Sequence, residues 1–120
     1  MRADPAAAWM TVYLTPCRPS HSKALAVLIR LVRMTFRPDA LEDFAALFAQ
    51  SSPKIRAAAG CAHLELWRDA RYPNILTTYS HWADADALDA YRHSELFRST
   101  WARTKPLFAA PPHAVSYYRA

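Results

Sequence analysis

Apolar and polar residues alternate over residues 27–36, VLIRLVRMTF, so the stretch reads as a strand. Leu28, Arg30, Val32, Met34 and Phe36 share one face, and Ile29, Leu31, Arg33 and Thr35 share the other. Both faces carry apolar side chains, which predicts a cover on each side, helices on one and a different partner on the other. The period then changes. Leu41, Phe44, Leu47, Phe48 and Ile55 keep helical spacing after the turn and expected cap at Arg37-Pro38-Asp39, with Glu42 and Asp43 favourable in the first turn. Pro53 lacks a backbone donor and predicts a kink or split near Ser51-Ser52, and Gly60 predicts a left-handed end to the helix.

Residues 61–69 (CAHLELWRD) and 74–82 (NILTTYSHW) read as two strands of a hairpin that turns through residues 68–73. Asp84 is placed to cap a helix carrying Leu88 and Tyr91 one turn apart. A new helix restarts at Ser94-Glu95, with the apolar stripe Phe97, Trp101, Thr104 and Phe108, and Pro106 limits its length. Residues 113–119 form a last strand. The order predicts an α+β fold of the ferredoxin-like kind, βαββ(αα)β, with a four-stranded antiparallel sheet and helices on one face. The other face, bearing Ile29, Leu31, Ile75 and Tyr79, would be too apolar to stay bare. A second copy is the expected cover, giving a homodimer through the sheet face.

Composition narrows the function. The chain of 120 residues is 52% hydrophobic and 21% charged, as expected of one folded domain. Residues 1–26, broken by Pro5, Pro16 and Pro19, are expected to be a tail, or sequence upstream of the true start, leaving residues 27–120 as the domain. Gly60 is the only glycine, which excludes the glycine-rich phosphate loops, the dinucleotide fingerprint and the nucleophile elbow. It also excludes RNA-recognition sheets, whose stacking aromatics need glycines beside them. The net charge of +5 is scattered rather than clustered, so no nucleic-acid partner is expected. No apolar run is long enough for a membrane helix, so no membrane partner is expected either. Cys17 and Cys61 have neither metal-ligand nor redox spacing and fit a reducing cytoplasm, where the protein is expected to reside.

Residues 74–108 concentrate the aromatic candidates for a binding pocket, Trp82, Tyr91 and Trp101, with Phe97 on the helical stripe and Tyr79 just outside. The motifs here are specific. I-R-L-V-R-M-T-F-R-P at residues 29–38, G-C-A-H-L-E-L-W-R-D at 60–69, and Y-S-H-W…A-L-D-A-Y-R-H-S-E-L-F at 79–97 resemble the antibiotic biosynthesis monooxygenase family, its quinol-oxidising members included. The resemblance implies a dimeric α/β-barrel and oxygenation of a small quinol or anthrone by O₂, with no metal, flavin or haem. It also implies a pocket between sheet and helices. Trp101 and Val32 stand where haem-degrading relatives carry a histidine and an asparagine, and Thr78 stands where anthrone-oxidising relatives carry an asparagine.

Such chemistry needs a phenol to lose its proton inside a dry aromatic pocket, since a phenolate gives up an electron far more readily. Trp82, Tyr91 and His93 are therefore the catalytic candidates, with His93 or His63 as base. Trp101, Phe97, Val32, Thr78, Ser80 and His63 are the substrate-binding candidates. Each has a plainer alternative. Trp82 and Trp101 could be core, Tyr91 could bond to backbone, His93 could be exposed at a helix break, and His63 and His81 could face a dimer partner. The alternative function is a non-catalytic dimeric ligand-binding or stress-associated protein of the same fold.

Overall fold

The computed structural model describes residues 26–120. All of the expected N-terminal extension except Ala26, and with it Cys17, lies outside the described residues. The elements follow the expected order: β1 (Leu28–Thr35), α1 (Leu41–Arg56), β2 (Cys61–Arg68), β3 (Ile75–Trp82), α2 (Ala85–Arg92), α3 (Glu95–Thr104) and β4 (His113–Tyr117). Short 3-10 turns at Pro38–Ala40 and Lys105–Leu107 join them. The sheet runs β2-β3-β1-β4 with every pair antiparallel, which is the ferredoxin-like topology.

Pairing register decides which side chains meet the helices. Leu28, Arg30, Val32 and Met34 of β1 lie opposite Trp82, Ser80, Thr78 and Leu76 of β3, and these rows share the helix-covered face. One core cluster joins Met34, Phe36 and Leu76 to Phe44 and Leu47 of α1. The second joins Leu28 and Trp82 to Leu88 of α2. Phe36 is wholly buried at the end of β1, bridged to Phe108 and with its ring 4.3 Å from that of Phe44. The β2–β3 hairpin turns without glycine because Asp69 Oδ2 accepts from the backbone N–H groups of Arg71 and Tyr72, each at 2.9 Å.

Three local expectations are corrected. Asp39 does not cap α1: a 3-10 turn intervenes, Ala40 occupies the cap position without a side-chain bond, and Asp39 instead faces Arg37 at 3.4 Å. Pro53 does not split the helix, which continues to Arg56. The carbonyl that loses its donor belongs to Ala49, an exposed residue whose oxygen water can reach. Gly60 does not end α1 either, because Ala57 is the C-cap. It has the expected positive φ of 86°, but in the turn that enters β2. There its carbonyl accepts the Ala83 N–H at 2.8 Å, and an added Cβ would strike the Cβ of Ala87.

Asp84 caps α2 as expected, and α3 starts at the expected Ser94-Glu95, with Ser94 as its cap. Asp84 accepts the Ala87 N–H at 2.8 Å, and Ser94 accepts the Phe97 N–H at 3.1 Å.

Gly60→Ala should destabilise the fold by at least about 1–2 kcal/mol, from the left-handed backbone alone, before the contact with Ala87 is counted. Urea unfolding measures this, and an unchanged midpoint would contradict the close approach.

Candidate functional site

The sheet and the three helices do not close completely on one another. Between them lies a cavity of about 290 Å³, a size suited to a small ring system. Its floor is the helix-facing row of the sheet, with Val32, Thr78, Ser80 and Trp82. Its roof comes from α1, α2 and α3, through Phe44, Phe48, Tyr91, Phe97 and Trp101.

The aromatic walls form one connected belt. Trp82 stacks on Tyr91 with centroids 4.8 Å apart, Tyr91 meets Phe97 edge-on at 5.3 Å, and Phe97 stacks on Trp101 at 5.7 Å. Trp101 meets Phe108 at 5.5 Å, and Phe108, Phe36, Phe44 and Phe48 continue the chain of rings. Such offset and edge-on pairs are worth roughly 0.5–1.5 kcal/mol each beyond the area they bury.

Trp82 is both wall and core. It is 1% exposed, and its indole N–H donates to Ser80 Oγ at 3.0 Å. The Ser80 hydroxyl is itself directed at the Arg30 carbonyl at 3.5 Å, so Ser80 locks the tryptophan rather than offering a free group to a ligand. Thr104 likewise turns its hydroxyl to the Thr100 carbonyl at 2.7 Å, and Ser51 to that of Leu47 at 2.8 Å. The cavity lining is consequently apolar over most of its extent.

Seven of the expected site residues therefore meet on this cavity: Trp82, Tyr91, Trp101, Phe97, Thr78, Ser80 and Val32. The two histidines do not. His93 is the C-cap of α2, its side chain is 74% exposed, and its Nδ1 lies 2.8 Å from the carbonyl of Asp89. His63 lies on the opposite side of the sheet. A bulge between Cys61 and His63 sets the β2 register so that His63, Glu65 and Trp67 face away from the helices, beside His81, Tyr79 and Thr77. There His63 pairs with Glu65, whose other oxygen accepts the Trp67 indole N–H at 2.7 Å. These bonds, first from Trp67 and then from His63, hold the Glu65 carboxyl below its ordinary range.

Two charged residues that were not among the expected site residues do line the cavity, Arg30 and Arg92. Arg30 was legible in the alternation of β1, where it shares a face with Val32 and Met34. Arg92 directly follows Tyr91 at the end of α2. Burial, and then the Arg92 charge, lower Arg30 from the usual guanidinium value, although an arginine remains cationic throughout the working range. Among the described lining residues there is no Asp, Glu, His or Lys. Tyr91 is the other ionisable group, and burial, with a smaller contribution from Cys61, pushes its phenol up to about 12. It stays protonated near neutrality and can donate a hydrogen bond but cannot serve as a base.

A four-stranded antiparallel sheet roofed on one side by helices, with a ring-lined hollow between the layers, defines an α+β domain of the ferredoxin-like fold. The model of the antibiotic biosynthesis monooxygenase family matches residues 27–103, and the chain belongs to that family. No curated protein matches the chain. Solved structures share the fold. A conserved protein from Methanosarcina mazei Go1 superposes with a TM-score of 0.77 at 16% identity, over 82% of this chain and 97% of that one. A candidate antibiotic biosynthesis monooxygenase from Nitrosomonas europaea gives 0.74 at 14% identity, over 78% and 89%. Another from Bordetella bronchiseptica gives 0.72 at 24%, over 79% and 98%.

The raised Tyr91 pKa carries a sign. Its stabilising effect is complete below the free phenol value near ~10 and is lost as pH climbs toward about 12. An alkaline titration followed by phenolate absorbance should show one late-ionising tyrosine that disappears in Tyr91→Phe, and the variant should lose less stability over that interval. Absence of the late component would place Tyr91 in water.

Proposed function

We propose that this protein is a monooxygenase that oxidises a small quinol- or anthrone-like aromatic with O₂ and no resident metal, flavin or haem. The observation that carries the reading is the connected ring belt, Trp82 to Phe108, around a hollow of about 290 Å³ with a cation on its floor. Family membership supports the same chemistry.

Flat aromatic walls hold a flat ring by stacking, and the positive charge of Arg30 favours the ionised over the neutral phenol. The phenolate then passes one electron to O₂. Superoxide and the carbon-centred radical recombine at the ring carbon to a peroxide anion, which takes one proton back from solvent, and the resulting hydroperoxide loses water to leave a carbonyl. In an anthrone a CH₂ becoming C=O gives up four electrons, and in a quinol a ring C–H becoming C–OH with oxidation of the ring to the quinone gives up the same four. O₂ accepts all four as one inserted oxygen and one water. The substrate therefore supplies every electron. Tyr91 can donate its proton in a hydrogen bond to the peroxo oxygen without ionising. Water exclusion by the rings confines the radical pair.

With no histidine on the cavity, the proton leaves through the mouth to solvent. Activity should accordingly follow ionisation of the substrate phenol and show no step near the histidine value of ~6.5.

The same lack of a side-chain base on the described lining favours a second reading, a binder that holds such a ring without turning it over. Oxygen uptake with menadiol or an anthrone, measured above the enzyme-free rate, separates the two. The oxygenase reading expects uptake that falls roughly 10- to 100-fold in kcat/KM for Trp101→Ala, as expected when a positioning wall is removed. It expects His93→Ala to match the unmodified protein. Thermal stabilisation by the same aromatics without uptake would establish the binder instead.

We further propose that two copies pair through the uncovered sheet face. Trp67, Val115 and Tyr117 are exposed there, 43%, 43% and 49% respectively, beside Tyr79, which stacks on Trp67 at 4.4 Å. Sedimentation should give twice the chain mass, and Trp67→Glu should shift it toward the single chain. A single-chain mass for the unmodified protein would refute the pairing.

A further inference from the structure

Arg30 sits mid-sheet, with Ser80 of β3 on one side and Ser116 of β4 on the other. Its Nη1 donates to Ser116 Oγ at 2.9 Å, which leaves most of its five donors free. Its neighbours in the sheet are short hydroxyls, where a structural arginine on a core-facing row would be matched with a carboxylate. Arg92 approaches the same cavity from the end of α2.

The ion pairs among the described residues are Arg37–Asp39, His63–Glu65, His93–Asp89 and Arg98–Glu95. None of them includes Arg30 or Arg92. The acids closest in sequence to Arg92 are thus turned elsewhere, Asp89 to His93 and Glu95 to Arg98. Two guanidinium groups therefore line a mostly apolar hollow whose described lining contains no anion. Like charges left together in such a place repel, and burial of Arg30 adds a desolvation cost. A ligand carrying negative charge removes both penalties, and a planar carboxylate fits the guanidinium fork.

We propose that the cavity selects aromatic acids: the ring lies against the aromatic belt while a carboxylate on it is held by Arg30 and Arg92. This rests on the reading of the cavity as an aromatic-ring site and deepens it, since it adds the charge of the substrate. One phenolate matches a single cation. Two cations call for a second ionised group, so a hydroxyaryl carboxylate is the class that balances the site.

The test compares two ligands that differ only in charge, 1-hydroxy-2-naphthoate and its methyl ester, by isothermal titration calorimetry near neutral pH. The free acid should bind roughly tenfold or more tighter than the ester, the range for hydrogen bonds to a charged group. Added salt should weaken the acid and leave the ester unaffected. The Arg30→Gln, Arg92→Gln double variant should bind both alike at the ester's affinity. Arg92→Gln alone, at an exposed helix end where folding is not at stake, should lose a clear part of the preference. Equal binding of acid and ester by the unmodified protein would overturn the proposal, as would a preference that survives the double variant. The readout is independent of turnover. Acid selectivity without oxygen uptake from quinols would refute the oxygenase alone, and uptake without selectivity would refute the acid site alone.

Discussion

The stacking of Trp82 on Tyr91 is the contact on which the rest of the site depends. Trp82 has no freedom of its own: it is buried at the end of β3, and its one polar atom is bonded to Ser80. Tyr91, on α2, meets that fixed plane at 4.8 Å and passes the constraint to Phe97 and Trp101 of α3. Rings have few rotatable bonds and cannot fold into a gap as a methionine can. Where aliphatic side chains would fill the space between sheet and helices, a belt of mutually braced rings spans it and leaves a hollow. The cavity is thus a consequence of stiffness in its walls.

The polar groups around that hollow divide in a consistent way. The hydroxyls of Ser51, Ser80 and Thr104 are spent on backbone carbonyls, which keeps the lining apolar and satisfies the buried atoms. What remains at the cavity is cationic, Arg30 and Arg92, together with a tyrosine whose proton is held tightly by burial. An apolar, positively charged compartment favours an anion over its conjugate acid without any base to take the proton. In the proposed oxygenase, this is how a phenol would be activated by its surroundings alone.

The sheet separates this compartment from a second aromatic group on its other side. Trp67, Tyr79, His63 and His81 pack against one another there, with Glu65 accepting from both Trp67 and His63. Burial, and then the neighbouring His63, lower the His81 pKa. One β-bulge before His63 fixes which of the two faces that histidine serves.

Alternation along β1 and β3 was enough to separate the helix-facing row from the opposite face, because a period of two leaves each side chain only two directions. The family was legible only in the spaced motifs at residues 29–38, 60–69 and 79–97. The helix caps at Asp84 and Ser94 were equally local, since each needs only a side-chain oxygen three residues before an unpaired N–H. The start of α1 and its passage through Pro53 escaped, because a 3-10 turn displaced the first and the carbonyl left without a donor at exposed Ala49 permitted the second. The site escaped in the same way. Histidine chemistry suggested His63 and His93, but a bulge and a helix terminus point them away from the hollow. Arg30 lay in plain view on the inner row, yet a lone arginine in a strand says nothing of its partners. Only the folded chain brings Arg92 to the same cavity and, among the described residues, leaves both without a carboxylate, because pairing of charges is set by distance across elements far apart in sequence.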